Sequence, residues 1–287
     1  MSGDAQTEKV GEGGKWWVHL VLVLVCVAVL YPVLWVLKMA LTPNDEAGLT
    51  ASPIPEHVTL DNFRFVMGTS RDGVWLFGRQ LLNSVVIALA TTAVGIGLSC
   101  TAAYAFSRFK FPGREGGMKM LLVTQMFPGV VMAIPLYILL GALGLQNNML
   151  GLVLVYAVTA VPFCVWMLKG YFDTIPKELE EAAIIDGASR GLIFWQIVLP
   201  LAKPAIVVTA LFSFMTAWNE FILAATFMNK EEAYTLPVVL QGYVGEHTVQ
   251  FGYFAAGAVV VSVPMMALFF ALQKHLVGGL TAGGVKG

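Results

Sequence analysis

The sequence predicts an all-α polytopic membrane protein with six transmembrane helices, N-in/C-in, and three observations lead to it. Of its residues, 57% are hydrophobic and 12% charged, too few polar side chains to clothe a soluble globule. Apolar stretches fall at about 16–40, 81–107, 118–143, 149–169, 203–228 and 251–273, each near or above the ~20 residues a helix needs to cross a bilayer core. An even number of spans puts both termini on one side. Lys and Arg choose the side, because they are kept on the cytoplasmic face during insertion. With the N-terminus inside, twelve of the 17 Lys and Arg fall on inner segments and five outside. Lys38, at the outer end of the first span, runs against the rule and is expected to snorkel to the interface.

The first span reads as a retained helix, since it is long, is flanked by Trp16 and Trp17, and has no small-x-small cleavage site. An outside loop follows, rich in turn formers (Pro43, Asn44, Pro53, Pro55), with Asp61 placed to cap a short interfacial helix bearing Phe63, Val66 and Met67 on one face. The second span is lined with small residues, among them Ala88, Gly95, Ser99 and Ala103, which let neighbouring backbones approach closely inside a bundle. The third is interrupted by Pro128-Gly129 and Pro135, with Gln125 one turn earlier, a pattern of both structural kinks and broken pathway helices.

The fifth span carries Asn219 and Glu220. Glu220 lies roughly 25 Å along the helix from Lys203, in the outer half of the bilayer, where lipid exposure of a charge costs ~2 kcal/mol or more. It is therefore either a satisfied interhelical residue or a translocation-path group near an outer gate, with Gln125 and Asn219 as companion candidates. Residues 229–250 then form a second outside segment in which Tyr234, Gln241 and Tyr243 could stack on and hydrogen-bond to a sugar or a protein. Cys26, Cys100 and Cys164 all fall within spans and form no CxxC pair, so they read as packing residues.

The cytoplasmic segment between the fourth and fifth spans is the most specific part of the chain. Pro176 starts a helix with Leu179, Ala182 and Ala183 on an apolar face and Glu178, Glu180 and Glu181 on the remainder. Gly187 is placed to end it in a left-handed cap, Ser189 to cap a second helix, and Pro200 to end that one. The product is a compact helix-turn-helix with a small Ala pair for close docking and carboxylates for a basic partner. Three clustered glutamates fit an anionic leaflet poorly.

Glu181-Ala182-Ala183, Gly187, Ile197, Leu199 and Pro200 stand at the spacing EAA-x3-G-x9-I-x-L-P. This resembles the coupling loop of the ABC importer permease family, the membrane subunits of ATP-driven, binding-protein-dependent importers, over about residues 80–280. The resemblance implies that loop 173–200 seats in a cleft of an ATPase subunit through Glu180, Glu181, Ala182, Ala183, Asp186, Gly187, Ile197, Leu199 and Pro200, with Glu181 paired to an ATPase arginine. Gln125-Met126-Phe127-Pro128, Gly170-Tyr171-Phe172 and the stretch from Leu276 to Gly287 look like the second permease subunit of maltose-type importers. In that subunit the tail, here Thr281, Ala282, Gly283, Gly284, Val285 and Lys286, enters the interface of the ATPase dimer.

No G-x-x-x-x-G-K-[ST] occurs, so ATP and Mg belong to a partner and the chain is expected to carry no catalytic residue, metal or cofactor of its own. The chain divides into an arm, first span and outside loop (1–79), a permease core (80–280) and a Gly-rich tail (281–287). Expected partners are a homologous second permease, an ATPase dimer, an extracytoplasmic sugar-binding protein and membrane lipid, with no nucleic acid; the location is the cytoplasmic (inner) membrane. An ion-coupled secondary transporter is the competing class and would need titratable pairs in several spans. An intramembrane enzyme would need a nucleophile or metal set, whereas His19, His57, His247 and His275 are scattered.

Overall fold

The computed structural model describes residues 16–48, 52, 54–245 and 249–284, with side chains through Lys274. In chain order it comprises α1 (Trp16–Leu41), α2 (Asp61–Gly68), an antiparallel hairpin of β1 (Ser70–Arg71) and β2 (Val74–Trp75), α3 (Leu76–Arg108), α4 (Arg114–Gln125), α5 (Gly129–Ala142) and α6 (Met149–Phe172). Then come α7 (Glu178–Ile185), α8 (Arg190–Ile193), a π-helical turn (Phe194–Val198), α9 (Leu199–Leu201), α10 (Lys203–Asn219), α11 (Ile222–Phe227), a 3-10 turn (Glu231–Ala233), α12 (Leu236–Gly242) and α13 (Phe251–Gly284).

Four helices, α1, α3, α6 and α13, are long and apolar enough to cross a membrane, and two bent pairs bring the number to six. The third predicted span is not one rod: α4 and α5 meet at 100°. Pro128 has no N–H to continue the ladder, and a proline disfavours helical backbone at the residue before it, Phe127. The fifth predicted span is also divided. α10 stops at Asn219, Glu220 adopts an extended conformation, and α11 restarts at Ile222.

α3 is the central helix and packs along α6 and α10, with Ala88, Ser99 and Ala103 buried as the small-residue pattern requires. α1 lies beside α13 and keeps its apolar side chains outward until its last turns. Two cores result. One, toward the outer end, gathers Ile87, Leu152, Tyr156, Phe214, Trp218 and Phe227; the other, toward the inner end, gathers Tyr104, Leu168, Phe172, Ile193, Phe194 and Val198.

Side-chain amides hold the outer layer together by taking up backbone groups that helix ends leave without partners. Asn62 donates to the carbonyls of Ala40 (3.0 Å) and Thr42 (2.7 Å), while Asn44 accepts from the Gly252 N–H at 3.1 Å. Gln80 and Asn83 of α3 donate to the carbonyls of Glu231 and Glu232, and Ser84 accepts from the Leu236 N–H at 2.8 Å. α2 consequently does not lie free on the membrane surface. Its Asn62 and Val66 are buried against the outer ends of α1 and α13, and Asp61 is its first residue, not its cap.

Lys38 is the other correction at this end. It does not snorkel: the residue is only 3% exposed, with Nζ 4.9 Å from the centroid of the Trp35 ring. A cation over an indole face is attracted by the ring quadrupole, and that attraction strengthens as water is excluded.

Candidate functional site: the inner helix-turn-helix

α7 ends as its sequence demands. Gly187 has φ +87, the Ala188 N–H donates to the Ala183 carbonyl at 2.9 Å, and the Gly187 N–H donates to the Ile184 carbonyl at 3.0 Å. These two bonds are the Schellman pair, which needs a residue in the left-handed region at this position. Ser189 then caps α8, its hydroxyl accepting from the Leu192 N–H at 3.3 Å. Pro200 sits inside α9 just after the π-helical turn, and the axis bends by 77° into α10.

The carboxylates of α7 divide in a way the sequence reading missed. Glu180 points inward: its side chain and that of Arg108 are each 4% exposed and form an ion pair through the Arg108 Nε. Tyr104 donates to the second Glu180 oxygen at 3.1 Å, and Arg108 Nη2 donates to the Ile175 carbonyl at 3.1 Å. Ser107 extends the network to Asp173 (2.6 Å), which also holds Lys169 at 2.6 Å. Burial acts to raise the Asp173 pKa, but the hydrogen bonds from Lys169 and Ser107, with the charges of Lys169 and Arg108, hold the carboxyl below its ordinary value. The inner ends of α3 and α6 are thereby tied to the start of α7. One signal was available: Tyr104 and Arg108, four residues apart, share a face of α3 and present two donors there.

Glu180 is therefore engaged within the chain, and the exposed residues of α7 are Glu178, Leu179, Glu181, Ala182, Ile184 and Ile185, with Asp186 and Gly187 beside them. Ala183, expected to dock outward beside Ala182, is half-buried against the inner core, as are Ile197 and Leu199; Pro200 is exposed. Ile185 is 86% exposed and Trp195 is 68% exposed. The inner end thus exposes large apolar side chains beside carboxylates.

Glu220 is engaged between helices. Its carboxylate accepts the N–H groups of Leu223 (2.9 Å) and Ala224 (3.1 Å) and the Tyr156 hydroxyl (2.6 Å). It thus holds the restarted helix α11 and ties it to α6. Asn219 is exposed and donates to the Met215 carbonyl at 2.9 Å. Gln125 ends α4 at the break and donates to the Thr159 carbonyl at 3.1 Å.

In the outer segment only Gln241 of the three named side chains is exposed. Tyr234 and Tyr243 are half-buried, Tyr243 in edge contact with Tyr253. At the other end of the chain, Thr281, Ala282, Gly283 and Gly284 continue the backbone of α13, so they do not begin a separate coil; Val285 and Lys286 lie outside the described residues.

Comparison with known proteins matches these features. The family model of the binding-protein-dependent transport system inner membrane component covers residues 93–281. The galactooligosaccharides transport system permease protein GanQ of Bacillus subtilis is 37% identical, over 94% of each chain. The trehalose transport system permease protein SugB of Mycobacterium tuberculosis is 36% identical, over 90% of this chain and 93% of its own. The maltose/maltodextrin transport system permease protein MalG of Escherichia coli K12 is 38% identical, over 94% and 95%. A chain of a bacterial ABC transporter involved in the import of alginate superposes with a TM-score of 0.74 at 22% identity, covering 89% of this chain and 94% of that one, a likeness of fold. Helix-turn-helix, broken spans and family match agree, and the ion-coupled and enzymatic alternatives fall: this chain belongs to the binding-protein-dependent inner-membrane components, as a multi-pass ABC importer permease whose ATP-hydrolysing subunit is a separate protein.

Proposed function

We propose that this chain is the second of two homologous permease subunits in an importer of maltodextrin or a similar neutral oligosaccharide. Its outward α7 face seats on one protomer of an ATPase dimer, with Glu181 meeting an arginine there. Residues 229–250 face an extracytoplasmic sugar-binding protein, with Gln241 the most accessible contact, and residues Thr281 to Lys286 reach the ATPase interface. The observation that carries this reading is the fastening of α7 to α3 through Arg108 and Glu180. A helix held by a buried ion pair transmits displacement as a lever, whereas a loop would bend. Nucleotide-driven closure of the ATPases would then move α7, α3 and α6 together and shift the population between inward- and outward-open cavities.

The substrate class is supported by the relatives, named for galactooligosaccharides, trehalose and maltodextrin. It also suits the spans, in which hydroxyls, amides and aromatic rings far outnumber charges. The test is reconstitution of the complex with its binding protein. Maltodextrin or a related oligosaccharide should stimulate ATP hydrolysis; stimulation by an amino acid or peptide and by no sugar contradicts the assignment.

A further inference from the structure

A recess of about 500 Å³ lies between the inner halves of α4 and α6. Gln125 meets the Thr159 carbonyl at 3.1 Å, and from that contact both helices run to the inner surface, where α4 begins at Arg114 and α6 ends at Phe172. Arg114, Lys119 and Lys169 line the recess together with Met118, Leu122 and Trp166. Its two ends differ in character. Arg114 and Lys169 stand at the inner surface, whereas Leu122 lies eight residues along α4 from Arg114, or ~12 Å deeper at the helical rise.

We infer that this recess holds an anionic phospholipid of the inner leaflet, its phosphate against Arg114 and Lys119 and its acyl chains along Leu122 and Trp166. The cations are only partly engaged. Lys119 forms no ion pair among the described residues, and Arg114 uses its Nε alone, donating to the Phe106 carbonyl at 2.7 Å. Lys169 is offset by Asp173 at 2.6 Å, and Glu115, the one carboxylate of the lining, offsets a second charge. Three cations against two carboxylates leave the recess positive. Lys110 adds to that charge from an adjoining recess, which shares Arg114 and Glu115.

Membrane topology alone does not account for this arrangement. Retention of Lys and Arg on the inner side places them in the connecting segments, but Lys119 stands more than one turn inside α4, between Met118 and Met120. A phosphate within reach compensates a lysine at that depth, and basic recesses between membrane helices on the cytoplasmic side suit anionic headgroups. Trp166 supplies the interfacial aromatic. It is 38% exposed and its indole N–H has no partner among the described residues, so it is open to donate to a headgroup oxygen while the ring packs on the first methylenes.

The test uses the assembled importer, stripped of lipid in a neutral detergent and titrated with phosphatidylglycerol or phosphatidylcholine whose brominated acyl chains quench nearby tryptophans. The Trp166 signal is the difference between wild type and Trp166→Phe, which keeps an aromatic ring. Each Lys or Arg beside an anionic headgroup changes affinity roughly fivefold, so phosphatidylglycerol should quench Trp166 at a concentration about tenfold lower than phosphatidylcholine, and Lys119→Gln should reduce that preference roughly fivefold. Lys119 is exposed, so its replacement should leave the melting temperature unchanged. Equal quenching by the two lipids overturns the site, as does a preference that survives Lys119→Gln. Quenching by neither lipid means that a protein subunit covers this face, and it overturns the lipid as occupant. Displacement of brominated phosphatidylglycerol by millimolar inorganic phosphate marks a site for a free anion and overturns the lipid likewise. None of these outcomes alters the assignment of the transported solute.

Discussion

Arg108 and Glu180, 72 residues apart in sequence, form a buried ion pair that joins the inner end of the central helix to the helix presented at the inner face. α7 is thus the end of a strut that runs through α3, and is not a loop suspended between α6 and α10. Removing one partner leaves the other charged and buried. Arg108→Met or Glu180→Met should each destabilise the fold by ~3–5 kcal/mol, while the double replacement, which leaves no orphan charge, should recover most of the loss. Thermal unfolding of the detergent-solubilised proteins measures this; additive losses in the double variant would mean that the two charges do not depend on each other.

At Gly187 the demand is on the backbone. Its φ is +87 and a Cβ there would meet nothing within 4 Å, so Gly187→Ala introduces conformational strain with no clash. The expected cost is ~1–2 kcal/mol, and Gly187→Asn should cost less because Asn tolerates the left-handed region. Melting temperatures in the order Gly, Asn, Ala check it; equal values for Ala and Gly would show that the cap does not need this conformation.

Glu220 joins α11 to α6 through three accepted hydrogen bonds. Hydrogen bonds to a charged group contribute about 1.5–3 kcal/mol each, so Glu220→Leu should lower stability by several kcal/mol and Tyr156→Phe by roughly one such bond. Glu220→Gln, which keeps an acceptor, should retain uptake that does not respond to an imposed proton gradient. A gradient-dependent loss in that variant would instead mark Glu220 as a proton-carrying group.

Much of this architecture was legible in the chain because its signals are local. Span positions follow from runs of apolar residues, the caps at Gly187 and Ser189 from single residues with one dominant conformational use, and the break beside Pro128 from a missing N–H. What was not legible depends on partners far away in sequence. Glu180 and Glu181 are neighbours of the same type, and only the position of Arg108 decides which of them is engaged. Lys38 was expected at the interface because its snorkelling depends on where Trp35 and α13 pack. The three bonds that Glu220 accepts were not legible because they depend on the helix stopping before it and restarting under its carboxylate. The outer tyrosines, read as open contacts, are half-buried: Asn83 and Ser84 draw the Tyr234 segment back onto α3, and Tyr243 packs against Tyr253.

The central claim is that α7 couples this permease to its ATPase through an outward face in which Glu181 is an exposed carboxylate, as is Glu178, and Glu180 is the anchor. The most direct measurement is the number of sugar molecules imported per ATP hydrolysed in proteoliposomes containing the Glu181→Lys complex. Charge reversal at an interfacial pair costs several kcal/mol, and the Glu181 side chain is exposed. The account predicts a protein that inserts and melts as wild type does, but whose sugar-to-ATP ratio falls at least tenfold or whose ATPase no longer co-purifies. A Glu181→Lys complex that retains its ATPase and imports sugar at the wild-type ratio would contradict it.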